Sequence, residues 1–172
     1  GMRRGEILGL RWPDVDLERG SLSVRRTMSR GASSRLESGE PKTAAARRRI
    51  ALPSSLTDSL RTHRVRQLEH RLAVGPAFED QELVFPKSIG GPLHPNSLAN
   101  RFRQLIVRTG VPPIRFHDLR QTCATLLLAQ GVHPKVVQEQ LGHADIAMTM
   151  NLYSHVTPDT QRDAAAQLDA MI

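Results

Sequence analysis

The sequence predicts a mainly α-helical domain that carries a small three-stranded antiparallel β-sheet near its amino end. Two observations point to this fold class. Before residue 53, short segments are β-prone and alternate between apolar and polar side chains, whereas apolar residues recur with a helical period from Ser54 onward. The length of 172 residues suits one domain, and a hydrophobic content of 39%, counted without glycine, allows a packed core.

The amino-terminal part is predicted to contain the sheet. A short helix is expected over residues 6–12, because its apolar side chains share one side and Pro13 then stops it. Three strands are predicted, at residues 21–27, within 28–41 and at 47–52. This sheet would carry Lys42 at its hairpin tip.

Helices are predicted for most of the remaining chain. Residues 54–74 form an amphipathic helix with one face made of Leu56, Leu60, His63 and Gln67. A loop follows with a short strand-like piece at 83–85. Proline and glycine punctuate the later helices, predicted at 96–109, 118–130, 134–141, 146–153 and 159–172.

The charge suggests a polyanionic partner. The chain has 24 Lys+Arg against 17 Asp+Glu, a net charge of +7, and only three of these cations are lysines. Nucleic acid is the commonest such partner. Aromatic residues at 3% are too few for the stacking surfaces of a single-strand binder, which favours duplex DNA. An arginine-rich composition also arises from genome base composition, so charge alone leaves function open.

Several other classes of protein are excluded or disfavoured. The single cysteine excludes an internal disulfide framework and a multi-cysteine metal site. The longest aliphatic stretch is too short to span a bilayer. No basic and apolar signal segment opens the sequence, so we expect a cytoplasmic protein without membrane attachment.

Five short segments carry a resemblance to a known family. They are GMRRGEI (1–7), PKT (41–43), HDLR (117–120), LGH (141–143) and YSH (153–155). In this order and spacing they resemble the catalytic domain of tyrosine recombinases, the phage integrase family. The H-x-x-R pattern alone is common by chance, whereas the ordered set is specific and extends over nearly the whole chain.

The resemblance implies site-specific DNA recombination or integration. Tyr153, the one tyrosine of the chain, would attack a phosphodiester and form a 3′-phosphotyrosine, leaving a free 5′-hydroxyl. The covalent intermediate conserves the bond energy, so that rejoining needs no ATP. Arg3 and Arg120 would stabilise the negative charge of the transition state. Arg4 is the rival of Arg3 for that role.

The resemblance also implies roles for the remaining candidates. His117 would accept or shuttle the tyrosine proton, and His143 would hydrogen-bond the phosphate. Lys42 would protonate the leaving 5′-oxygen, unless it only touches the DNA backbone. Glu6 would support the first arginine, and His155 would at least pack beside the tyrosine.

No cofactor, metal or small-molecule substrate is expected. A zinc site made of His117, His143 and His155 is arithmetically possible, but the family uses no metal. Other arginines would either follow duplex phosphates or form ordinary solvated surface. They are Arg25, Arg26, Arg30, Arg35, Arg47, Arg48, Arg49, Arg101, Arg103 and Arg108.

The resemblance implies that residues 1–172 form one catalytic domain. A tail helix at about 159–172 would dock on a neighbouring protomer, as in a DNA-bound tetramer, or pack on its own domain. The resemblance also implies that whole family members have an amino-terminal core-binding domain, and we expect none within these 172 residues. A truncated, catalytically impaired fragment that binds DNA or a protomer is therefore the alternative. A helical DNA-binding regulator is a third possibility, but it would not require this set of residues.

Overall fold

The β-structure precedes most of the helices in the computed structural model, which describes residues 1–30, 36–40, 43–156 and 169. The strands are β1 (Val15–Asp16), β2 (Ser21–Val24), β3 (Thr27–Arg30), β4 (Leu36–Gly39) and β5 (Arg48–Ala51). The helices are α1 (Arg4–Leu8), α2 (Ser54–Val74), α3 (Pro95–Thr109), α4 (Asp118–Ala129), α5 (Pro134–Leu141) and α6 (Ala147–Val156). The predicted mainly helical fold class is confirmed.

The sheet has three antiparallel strands. β5 confirms the strand predicted at 47–52, whereas the other two strands differ from the prediction. Its order is β1-β2-β5, with Leu22 opposite Ile50 in the register of β2 and β5. β3 and β4 pair separately as a hairpin. The single strand predicted over 21–27 is therefore wrong, because the chain leaves the first sheet after Val24 and pairs with β4. β1 was missed, since two residues are too short to show alternation.

The segment that contains Lys42 joins β4 to β5, which are not paired with each other. The strands of the β3–β4 hairpin are instead connected by residues 31–35. Lys42 itself lies outside the described residues, so the prediction for its side chain is not tested.

The first helix is shorter than predicted. α1 ends at Leu8, and Gly9 follows with its N–H donating to the carbonyl of Gly5. Leu10 lies outside the helix, and its carbonyl accepts a hydrogen bond from the N–H of Val84 (2.9 Å). The prediction that residues 6–12 form one helix is wrong because this tertiary hydrogen bond competes with the helical one.

α2 has the predicted bounds, and most of its predicted inner face is correct. Leu60 is buried, while His63 and Gln67 form hydrogen bonds with the carbonyls of the segment that contains residues 83 and 84. Leu56 is exposed, contrary to the predicted face. The 83–85 segment is largely buried but forms an isolated bridge rather than a strand.

Two larger apolar clusters form the core of the described residues. The first joins the sheet to α2 and consists of Leu10, Val15, Leu22, Val24, Ile50, Leu60 and Val84. The second joins α4 to α5 and consists of Ala124, Leu128, Val137 and Leu141, with Leu152 of α6 packed against it. A smaller cluster of Leu8, Met28 and Leu93 lies under α1.

α3, α4, α5 and α6 begin within one residue of the predicted positions, which confirms that part of the analysis. The tail helix predicted at 159–172 lies outside the described residues, apart from residue 169, which is helical. Within the described part of the chain, no helix is both long and apolar enough to cross a membrane.

Candidate active site

The carboxyl end of α5 forms the frame of the site. Gly142 ends the helix in the left-handed conformation (φ 68°, ψ 46°). The last carbonyls of a helix lack helical partners and concentrate negative partial charge. Three consecutive carbonyls here each accept a hydrogen bond from a different arginine. The pairs are Arg48 Nε to Gln140 O (2.7 Å), Arg120 Nη2 to Leu141 O (2.7 Å) and Arg3 Nη2 to Gly142 O (2.9 Å).

One buried carboxylate links two of these arginines. Oε1 of Glu6 accepts from Arg3 Nη1 (2.8 Å), and Oε2 accepts from Arg48 Nη2 (2.9 Å). The backbone N–H of Arg3 also donates to Oε2 (2.8 Å). Burial acts to raise the pKa of Glu6, but hydrogen bonds from Arg48 and Arg3 and the charge of Arg48 outweigh it, so the pKa is lowered. Glu6 is therefore ionised at neutral pH and holds both guanidiniums in place.

Arg120 is the more deeply buried of the two arginines that the sequence predicted for the site. Its exposed fraction is 5%, and Nη1 donates to the carbonyl of Gly1 (2.7 Å). Burial and, next, the charge of Arg3 lower the pKa of Arg120 to about 10, so the guanidinium stays protonated at pH 7.

The cluster of Arg3, Arg48, Arg120 and Glu6, which we call the arginine cluster, has an excess of positive charge. Three guanidiniums meet one carboxylate within it. The side chain of Arg3 is 39% exposed, so the excess charge is open to solvent at that point. Guanidiniums that offer paired donors at a fixed position suit a phosphate or another oxyanion.

His143 follows Gly142 directly and adjoins the arginine cluster. Its ring is buried, and Nδ1 lies 2.9 Å from Oγ1 of Thr149 on α6. Burial and, after it, the charges of Arg120, Arg3 and Arg48 lower the pKa of His143 to about 4. The imidazole is therefore neutral at pH 7 and presents one N–H donor.

His117 occupies a different position from His143, at the exposed residue before the first turn of α4. It lines a groove of about 630 Å³ together with Arg3 and with side chains from α3. An imidazole at this place is accessible to a ligand that approaches Arg3 through the groove.

Tyr153 and His155 lie on α6, and Tyr153 is one turn beyond Thr149. α6 packs on α4 and α5, the helices that carry Arg120 and end at Gly142. The structure thus brings Arg3, Arg120 and His143 together and puts His117 on the adjoining groove. The side chains of Tyr153, His155 and Lys42 lie outside the description.

Arg48 belongs to the arginine cluster, whereas the sequence analysis expected it either to follow duplex phosphates or to form solvated surface. Its side chain is only 6% exposed and pairs with Glu6. The sequence could have indicated this burial, because alternation along β5 puts Arg48 on the same face as the buried Ile50. Thr149 was missed as well, because nothing in its sequence context distinguishes a hydroxyl that faces a histidine.

Arg4 is exposed, and the structure places Arg3 rather than Arg4 in the arginine cluster. Most other predicted surface arginines are exposed or half-buried, and some already have partners. Those partners are Asp14 for Arg25 and Arg26, Glu40 for Arg47, and Ser21 for Arg49. The side chains of Arg30 and Arg35 are not described.

The residues described here contain no group of three or more His, Cys, Asp or Glu side chains that could hold a metal ion. The side chain of His155 is not among the described residues, so the zinc site of His117, His143 and His155 is not tested.

Comparison with known proteins identifies the class. The model of the phage integrase family matches residues 1–160. A tyrosine recombinase XerC-like protein of Caldanaerobacter subterraneus subsp. tengcongensis is 36% identical over 181 residues, covering 98% of this chain and 46% of that protein. An integrase of Saccharopolyspora erythraea is 34% identical over 128 residues, covering 74% and 29%. The chain belongs to the phage integrase family, and it spans about half or less of the length of these curated relatives.

Solved structures agree with this assignment. A form of the Tn1549 transposon integrase bound to transposon right end DNA has a TM-score of 0.80 and 25% identity, covering 97% of this chain and 55% of that one. The XerA recombinase has a TM-score of 0.69 and 23% identity, covering 96% and 53%. The predicted integrase catalytic-domain fold is confirmed.

Replacement of Gly142 should disrupt the frame of the site. In Gly142→Ala, an added Cβ lies 2.8 Å from Ala45 O and 3.0 Å from Arg48 Nη1. We expect about 1–2 kcal/mol of left-handed backbone strain and a further 1–3 kcal/mol from crowding, measured by urea unfolding. Gly110→Ala is the matched control, since Gly110 also ends a helix at φ 68° but has open space around it. Equal losses of unfolding free energy in the two variants would contradict the expected cost of crowding at position 142.

Removal of the Arg48 charge should destabilise the fold, because Glu6 loses a buried partner. Arg48→Met is expected to lower the free energy of unfolding by about 3–5 kcal/mol at pH 7. Arg49→Met is the control on the neighbouring position, where the side chain is 58% exposed, and should change it by about 0.5 kcal/mol or less. Similar losses of unfolding free energy in the two variants would show that the Arg48–Glu6 pair contributes no more to stability than an exposed arginine does.

The low pKa of His143 predicts a dependence of stability on pH. The folded protein keeps His143 neutral down to about pH 4, whereas the unfolded chain binds its proton near pH 6.5. The stability due to this group is complete above pH 6.5 and is lost as the pH falls toward 4. The difference in unfolding free energy between wild type and His143→Gln should thus be smaller at pH 5 than at pH 7. A constant difference would mean that the pKa is not lowered.

Proposed function

We propose that this chain is the catalytic domain of a site-specific DNA recombinase or integrase. The observation that carries the proposal is the arginine cluster, which offers excess positive charge beside a neutral histidine in a phage integrase family fold. Such a site suits a phosphodiester whose transition state gains negative charge. Its place in the phage integrase family supports a DNA phosphodiester as the substrate.

The cleavage step assigns one task to each group. The Tyr153 oxygen attacks phosphorus and forms the phosphotyrosine bond as the bond to the 5′-oxygen breaks. His117 accepts the tyrosine proton, and Lys42 gives a proton to the departing oxygen. Arg3 and Arg120 donate to the non-bridging oxygens, with His143 as a further donor. Rejoining is the same step in reverse, with the 5′-hydroxyl as nucleophile.

Double-stranded DNA is the proposed partner. The Tn1549 integrase, which shares the fold, was solved with DNA. A second groove of about 630 Å³, lined by Arg25, Arg26, Arg47 and Arg49 among others, supplies charge for duplex phosphates. We propose that this domain acts within a tetramer on the DNA of a mobile element, at the bacterial nucleoid.

The alternative of a catalytically impaired fragment is less well supported than an enzyme. The family match from residue 1 to 160 includes all six proposed catalytic positions. Arg3 and Arg120 are also held by hydrogen bonds and are thus preorganised for an anion.

Covalent trapping tests the proposal. The chain is incubated with a library of nicked duplexes of random sequence, in which the short cleaved strand diffuses away, and adducts are separated on a denaturing gel. Wild type should form a protein–DNA adduct, and Tyr153→Phe should form none. Arg120→Lys should slow adduct formation by about a hundredfold or more, because a preorganised donor is lost.

The full-length Caldanaerobacter relative serves as the positive control for the library. An adduct from the relative but not from this chain would support the impaired fragment. An adduct from Tyr153→Phe would overturn the assignment of the nucleophile.

A further inference from the structure

We propose that Thr149 is a positioning residue that sets the tautomer of His143, so that the ring presents its Nε2–H to the bound phosphate. The inference rests on the proposed function for its consequence in catalysis. Its physical basis, the hydrogen bond between Thr149 and His143, stands independently of that function.

The geometry brings two groups together in a buried place. Thr149 has an exposed fraction of 0%, and its Oγ1 lies 2.9 Å from Nδ1 of His143. The backbone of His143 is held as well, because its carbonyl accepts from Nε2 of Gln138 (3.2 Å). The ring is therefore fixed in position, and its tautomer depends on whether Oγ1 of Thr149 or Nδ1 of His143 donates the hydrogen bond.

The threonine hydroxyl is assigned as the donor because its proton needs an acceptor. Nδ1 of His143 is the partner that the described residues offer to this buried hydroxyl. If Nδ1 carried the ring proton, the hydroxyl would accept, and its own proton would remain unsatisfied at a cost of about 1–3 kcal/mol. When the hydroxyl donates, Nδ1 is an acceptor and the proton of a neutral imidazole lies on Nε2.

The tautomer matters because His143 adjoins the cations that would hold an anion. Arg120, Arg3 and Arg48 are close enough to influence the charge state of the ring. A neutral imidazole has one N–H, and only the Nε2–H form makes Nε2 a donor. The other tautomer would turn a lone pair toward a phosphate oxygen and repel it.

Thr149 also connects His143 to the helix that carries the proposed nucleophile. Thr149 and Tyr153 are four residues apart on α6, one turn of the helix. The same hydroxyl thus ties the phosphate-binding histidine to the element that bears Tyr153.

The tautomer can be measured directly on the whole chain without DNA. Two-dimensional ¹H–¹⁵N spectra at pH 7 distinguish the two ring nitrogens, and His143→Gln identifies the signals. Wild type and Thr149→Ser, which retains the hydroxyl, should show a protonated Nε2. Thr149→Val, of almost the same shape, should shift the population toward protonated Nδ1. A protonated Nδ1 in wild type, or an unchanged tautomer in Thr149→Val, would overturn the proposal.

The catalytic consequence is tested by single-turnover adduct formation on a nicked duplex recovered from the library. Thr149→Val should react about tenfold more slowly, a barrier change of about 1.4 kcal/mol, while Thr149→Ser stays within about twofold of wild type. In a His143→Gln background, Thr149→Val should cause no further loss. An equal loss in that background would show that Thr149 acts otherwise than through His143. If wild type forms no adduct at all, the proposed function fails, yet the spectra still decide the tautomer.

Discussion

The site depends on one constraint, the end of α5. Gly142 turns the chain in a conformation that side chains disfavour, and the three last carbonyls then point to three guanidiniums from different parts of the chain. Arg3 comes from the start of α1, Arg48 from β5 and Arg120 from α4. The helix end therefore joins the sheet half to the helical half, and any shift of it moves all three cations together.

The concentration of positive charge at this helix end destabilises the fold, and a bound anion would offset that destabilisation. Three like charges lie close together, and Glu6 compensates for only part of them. Their field, added to burial, keeps His143 neutral where an exposed histidine would be partly charged. Binding of an oxyanion would relieve the repulsion among the arginines. The surplus positive charge of the site thus favours a phosphate. The histidine, being neutral, can donate a hydrogen bond to it without adding charge.

Features that depend on neighbouring residues were predicted well from the sequence, whereas features that depend on residues far along the chain were not. Helix ends at Gly110 and Gly142 are local, so the later helices were predicted well. The end of α1 was missed, because the Leu10 carbonyl accepts its hydrogen bond from Val84, more than seventy residues away. The role of Arg48 was readable from alternation along β5, but a run of three arginines resembles a solvated surface.

The family, the order of the motif residues and the sign of the charge could be read from the sequence alone, because these follow from residue identity and spacing along the chain. Only the tertiary structure decided that Arg3, Arg48 and Arg120 share one helix end, that Glu6 joins two of them and that Thr149 faces His143. Those contacts join residues up to 139 positions apart. Hydrogen-bond partners and pKa shifts arise from the surroundings of a folded side chain, and spacing along the chain does not determine which distant residues make up those surroundings.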